Sequence, residues 1–139
     1  VLAYLDSCVV IYLIEMQEPW HSHVRARLLP TPPAAQPDIC FSDLTRLECR
    51  VGPLMRGDTQ ALAEYDELFA TPGWRRAMLD APAFDLAADL RARHRIGTAD
   101  ALHLAAAIGA GCDEFWTNDL RLERAAGGHL RIVTMDTIL

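Results

Sequence analysis

The sequence predicts an α/β fold, a three-layer α/β/α arrangement around a mainly parallel central sheet. Short apolar runs at residues 1–5, 39–41, 115–117 and 130–135 have the length and the aromatic or β-branched content of buried strands. Segments of helical periodicity separate them, and strands that alternate with helices build parallel sheets through crossover connections. With 51% hydrophobic and 23% charged residues, the 139-residue chain is globular and large enough for one substantial core. A single domain over residues 1–139 is therefore expected.

Residues 1–5 form the first strand, which stops at Asp6-Ser7; either residue can cap a helix expected over residues 8–17, with Val9, Val10, Leu13 and Ile14 on one face. Pro19 breaks that helix, and a shorter one is expected over residues 20–29. The proline-rich stretch 30–37 reads as an extended connecting loop, too short to divide two cores. Ile39-Cys40-Phe41 is the second strand, and Ser42 caps a third helix that Pro53 kinks or ends and Gly57 closes. Asp58 caps a fourth helix through Phe69, with Leu62, Tyr65, Leu68 and Phe69 as its apolar stripe. Thr71-Pro72-Gly73 is a turn, and residues 74–79 form a short strand despite Arg75 and Arg76 in their midst.

Pro82 opens a helix with Phe84, Leu86, Ala87 and Leu90 inward. Arg91, Arg93 and Arg95 fall towards its end, where the helix dipole favours cations. Gly97 and Thr98, a turn glycine and a capping threonine, precede an alanine-rich helix closed by Gly109 and Gly111. Asp100 lies in the first turn of that helix, and His103, three residues on, shares its face. A strand ending at Thr117 leads into Asn118-Asp119 and a short helix through Ala126, then a Gly127-Gly128 turn and a final strand over residues 130–135.

Composition narrows the chemistry. The net charge is −6, yet all 13 basic residues are arginine. Without lysine, neither a P-loop nor a Schiff-base mechanism is available. An acidic total does not forbid nucleic-acid binding, since a local arginine patch acts against the global sign. Candidate phosphate contacts are Arg46, Arg50, Arg91, Arg93, Arg95 and Arg121, with a solvated helix face as the plain alternative for the 91–95 group. No apolar run approaches membrane-spanning length, and no secretory signal is visible. Cys8, Cys40, Cys49 and Cys112 form no CxxC pair, which suits reduced thiols in a cytoplasmic protein. His21 and His23 lack the cysteine spacing of a zinc site, and Cys8 has no identifiable histidine partner.

The acids carry the functional signal. Ligands of open parallel sheets sit outside the carboxyl ends of the strands. Asp6 follows the first strand, Asp119 follows the strand ending at Thr117, Asp100 starts a helix, and Glu48 lies in the helix after the second strand. Each has an ordinary structural explanation: a cap for Asp6, a turn for Asp119, dipole compensation for Asp100, a solvated ion pair for Glu48. Together at one edge they repel one another, and a bound cation is what lets all of them remain ionised.

Asp6 after strand one, Glu48 in a helix, Thr98-Ala99-Asp100-Ala101-Leu102-His103-Leu104-Ala105, and Thr117-Asn118-Asp119 occur in an order that resembles PIN-domain ribonucleases. Over essentially its full length the chain is similar to VapC-type toxins of toxin–antitoxin pairs. The resemblance implies an endoribonuclease in which Asp6, Glu48, Asp100 and Asp119 hold Mg²⁺ or Mn²⁺ and a metal-activated water attacks an RNA phosphodiester. It also implies that Thr117, together with Ser7, orients acids or water, that a cognate antitoxin covers the site, and that the toxin forms a homodimer.

Two other readings compete. One is a catalytically inactive RNA- or protein-binding domain of the same fold, with the acids serving as caps. The other is a phospho-acceptor or phosphatase-like domain, which the absence of lysine and the pairing of Glu48 with Asp100 disfavour. His103 reads as a packed residue with one satisfied nitrogen rather than as a general base.

Overall fold

The chain's alternating apolar runs become a five-stranded sheet ordered β3-β2-β1-β4-β5, with every neighbouring pair parallel. The structure is a computed structural model and describes residues 1–136, so the last three residues of the expected domain lie outside the described part. The strands are β1 (Leu2–Leu5), β2 (Asp38–Ser42), β3 (Arg75–Ala77), β4 (Glu114–Thr117) and β5 (Arg131–Thr134). The helices are α1 (Ser7–Ile14), α2 (Trp20–Leu28), α3 (Asp43–Arg56), α4 (Thr59–Phe69), α5 (Ala81–His94), α6 (Thr98–Gly109) and α7 (Glu123–Ala126), with a 3₁₀ turn at Leu120–Leu122.

β1 is the middle strand and all four of its residues are buried, which is why it reads as an unbroken apolar run instead of an alternating one. Its side chains serve two cores. Leu2 and Tyr4 join Cys40, Phe115 and the inner faces of α5, α6 and α7. Ala3 and Leu5 join Phe41, Trp116, Val9, Val10, Val24, Cys49 and Tyr65 on the side of α1 to α4. This is the predicted three-layer architecture. The core of the first layer rests on Phe115, which is fully buried and stacked on Tyr4 with ring centroids 5.3 Å apart. Phe115→Ala is expected to cost roughly 3–5 kcal/mol, read as a lower denaturant midpoint at unchanged m-value.

Several element ends depart from expectation. α1 stops at Ile14, three residues short of the predicted end, and Met16 takes a left-handed φ of 52°. Pro53 does not end α3; the helix continues to Arg56 and closes on Gly57 at φ 66°. A proline so near the C-terminus removes one backbone hydrogen bond, and the glycine then supplies the left-handed closing residue. Gly97, not Thr98, is the N-cap of α6, and Thr98 is its first helical residue. On α5 the inward residues are Ala83, Ala87 and Leu90, whereas Phe84, expected inside, points outward at 52% exposure. The stripe 83, 87, 90 keeps helical spacing, and Phe84 lies about 100° round from it.

The order of connections places the functional edge. From β1 the chain moves outward to β2 and β3, then returns across the sheet to β4 on the other side of β1. The carboxyl ends of β1 and β4 therefore flank the point where the direction of winding reverses, the position at which open α/β sheets bind ligands. No helix of the described residues is long and apolar enough to cross a membrane.

Candidate metal centre

Asp6 is the residue immediately beyond β1, and its backbone N–H donates to the Trp116 carbonyl of β4 at 3.0 Å. Its side chain is held from two sides. Oδ1 accepts the Ser7 backbone N–H at 2.8 Å, capping α1, and Oδ2 accepts the Thr117 hydroxyl at 2.7 Å. Thr117, fully buried at the end of β4, accepts the Asp119 backbone N–H on Oγ1 at 3.2 Å. One threonine thus fixes the rotamer of one acid and the backbone of another.

Glu48 reaches the same edge from α3, whose start is set by a reciprocal cap between Ser42 and Thr45. Its Oε1 lies 2.5 Å from Nε2 of His103, which comes from α6 and is buried. That same nitrogen is 3.7 Å from Oδ1 of Asp6. Asp6, Glu48 and His103 can each present a ligand atom within 4.8 Å of the others. The hydrogen bond from His103 holds the Glu48 carboxyl below its ordinary range against the opposing effect of burial, and the Ser7 side chain adds to the lowering.

Asp100 sits in the first turn of α6. Burial raises its carboxyl above the usual value, and the negative charges of Asp6 and Asp119 push it further the same way. Asp119 has the opposite balance. Arg121 donates to it through Nε at 2.9 Å and Nη2 at 2.6 Å, and this hydrogen bonding holds its carboxyl low. Cys8, in the first turn of α1, is no nucleophile: burial, then the charge of Asp6, pushes its thiol up to about 12.

Among the described residues the cluster that closes to within ligand distance is two carboxylates and a histidine, Asp6, Glu48 and His103. Asp100 feels the charges of Asp6 and Asp119, and Asp119 is tied to Asp6 through Thr117 and clamped by Arg121. Carboxylate oxygens of this kind are what hard divalent cations take. A PIN domain family model matches residues 3–128. The chain belongs to the PIN-domain family. Among solved structures, this PIN domain is similar to DNA-bound VapBC from Salmonella typhimurium, at 21% identity and a TM-score of 0.72 over 97% of this chain and 98% of that one. It is equally similar to VapBC2 from Rickettsia felis bound to a promoter DNA fragment, at 16% identity and a TM-score of 0.72, covering 96% and 98%. A toxin–antitoxin complex from Klebsiella pneumoniae follows at 19% identity and a TM-score of 0.70, covering 98% and 99%. No curated protein sequence matches the chain.

Within this PIN domain, His103 departs from what the sequence predicts, and Tyr4 joins it at the site. His103 is not a packed residue with a single satisfied nitrogen. Both ring nitrogens are engaged, Nε2 by Glu48 and Nδ1 by the Tyr4 hydroxyl at 2.7 Å. In the sequence Tyr4 belongs to an apolar strand; its signal is a tyrosine in a run with no other polar side chain, because a buried hydroxyl requires a partner. The arginines flanking Glu48 turn to other acids: Arg46 to Asp43 at 3.5 Å and Arg50 to Asp66 at 3.0 Å. In the 91–95 group, Arg93 pairs with Asp89 at 3.3 Å and Arg91 donates to the Ile96 carbonyl at 3.1 Å, as the solvated-face reading anticipated.

Proposed function

We propose that this PIN domain is a metal-dependent endoribonuclease, the toxin of a toxin–antitoxin pair, acting in the cytoplasm. The observation that carries the reading is the meeting of Asp6 and Glu48 around His103 where the sheet reverses its winding, with Asp100 burdened by the charges of Asp6 and Asp119. Such an arrangement is unfavourable on its own and is relieved by positive charge.

Asp6, Glu48, Asp100 and Asp119 are the residues that would hold Mg²⁺ or Mn²⁺. A divalent ion supplies an acidified water as nucleophile and positive charge for the oxygens of the phosphodiester. The chain's part is positional. Thr117 keeps one Asp6 oxygen turned to β4, and Ser7 keeps the other on the α1 cap. Arg121, 85% exposed beside Asp119, is the arginine nearest the acids and serves as the phosphate contact for RNA.

A partner surface adjoins the acids. Leu47, Val51, Leu54 and Met55 are 58%, 44%, 57% and 83% exposed at helical spacing on α3, the helix that carries Glu48. An antitoxin seated on this stripe would lie next to the site it silences, and the similar solved structures are toxin–antitoxin complexes. A homodimer belongs to the same proposal.

The test is cleavage of a mixed RNA substrate by the purified chain before and after EDTA. Cleavage that disappears in EDTA and returns with Mn²⁺ is expected. Cleavage indifferent to EDTA would overturn the metal dependence, and no cleavage together with no Mn²⁺ binding would favour the inactive binding-domain reading.

A further inference from the structure

A buried line of polar groups runs away from Glu48 into the core. His103 Nε2 meets Glu48; His103 Nδ1 meets the Tyr4 hydroxyl at 2.7 Å; that hydroxyl meets Ser42 Oγ at 2.7 Å and Thr45 Oγ1 at 3.3 Å. Tyr4, Ser42 and Thr45 are fully buried and His103 is 1% exposed. Ser42 and Thr45 are the capping residues that begin α3, the helix on which Glu48 stands one turn later. The line is therefore a closed loop through β1, α6 and α3 that starts and ends on one helix.

Donor and acceptor bookkeeping fixes the roles. The Glu48 carboxylate only accepts, so His103 Nε2 must carry the hydrogen that it shares with Glu48. In the neutral ring Nδ1 is then the acceptor, and the Tyr4 O–H donates to it. Tyr4 in turn accepts from the Ser42 hydroxyl at 2.7 Å, while the single hydroxyl hydrogen of Thr45 goes to the Leu5 carbonyl at 3.4 Å. Each member has a partner, so no polar group in the line is stranded. Moving Glu48 away would break the line at its costliest point, leaving a buried ring N–H unpaired.

We infer that His103, backed by Tyr4, is a positioning residue that holds Glu48 in the orientation needed for a divalent cation and is not itself a ligand. The inference rests on the metal-site reading above. Its physical basis is that a long glutamate side chain has several rotamers to choose among, and an anchored N–H removes most of that freedom before the cation arrives. With Nε2–H committed to Glu48 and Nδ1 to Tyr4, the ring has no lone pair left to offer an ion.

Calorimetric titration with Mn²⁺ on the parent, His103→Ala, His103→Gln and Tyr4→Phe proteins tests this. Tyr4→Phe keeps the stack on Phe115 and removes only the hydroxyl, so it reports on the line even where His103→Ala folds poorly. Weakening of Mn²⁺ binding by about 10–100-fold is expected in His103→Ala, as for other groups that orient a metal ligand. Binding should weaken less in Tyr4→Phe and recover in His103→Gln, which retains an N–H donor. Parent-like Mn²⁺ affinity in all three variants would overturn the inference and leave the metal site standing. So would nitrogen hyperfine coupling from His103 to bound Mn²⁺, which would make the ring a ligand. A parent protein that binds no Mn²⁺ would overturn the metal site and this inference together.

Discussion

Replacing Asp6 by asparagine should reduce RNA cleavage by more than about 100-fold, because even an outer partner of a metal ligand is worth about 10–100-fold and Asp6 is placed as a ligand. Stability should change little, within about 1 kcal/mol, the size of a single capping contribution. The reason lies in the two hydrogen bonds of the native carboxylate. The amide oxygen of asparagine can still accept the Ser7 N–H, and the amide nitrogen can donate to Thr117 once that hydroxyl rotates. What is lost is the charge alone. A cleavage assay beside a thermal melt separates the two effects. A variant that melts like the parent and cuts like the parent would remove Asp6 from the chemistry; one that unfolds would show that its capping role dominates. The removed charge also has a second consequence, since Asp6 is the neighbouring acid that raises Asp100 most.

The sequence disclosed those parts of the site that depend on local order. Asp6 follows β1, Thr117 ends β4 and Asn118-Asp119 follow it, so their place at the carboxyl edge comes from the strands themselves. Asp100 is fixed in the first turn of a helix by the same kind of local signal. The link between Glu48 and His103 was not legible, because it joins residues 55 positions apart on two helices. An isolated histidine on an alanine-rich helix looks like filling until the facing helix is known. The same contrast runs through the fold. Buried strands and capped helices were readable from apolar runs and cap residues. The end of α1 was not, because Met16 has no intrinsic preference for the left-handed φ it adopts. The outward turn of Phe84 was equally hidden: the apolar residues of α5 fit two neighbouring stripes, and packing against α6 chose the one led by Ala83.

Asp100→Asn should stabilise the metal-free protein at neutral pH while removing most of its response to metal. The sign follows from the raised carboxyl of Asp100. A group that binds its proton more tightly when folded lowers stability as pH rises from the unfolded carboxyl value, about 4, through the folded one, and the loss persists above it. Asparagine abolishes that loss, so the variant should melt above the parent at neutral pH and the gap should close in acid. Metal inverts the ranking. Mn²⁺ at about 100 times its Kd stabilises the native state by about 2.7 kcal/mol, a rise of roughly 10 °C in a domain of this size. That rise should shrink as pH falls and protons compete for the carboxylates. Asp100 also stands in the first turn of α6, where an ionised carboxylate gains from the helix dipole, so two opposite effects act on one residue. The net direction for Asp100 is upward, set by burial first and then by the charges of Asp6 and Asp119, which is why the metal-free variant should be the more stable protein. A metal-free Asp100→Asn protein that melts below the parent would reverse that ranking and make the acid a helix-capping residue. A higher melting point coupled to a lost Mn²⁺ response would mark Asp100 as a carboxylate kept at a cost to the fold for the sake of the cation.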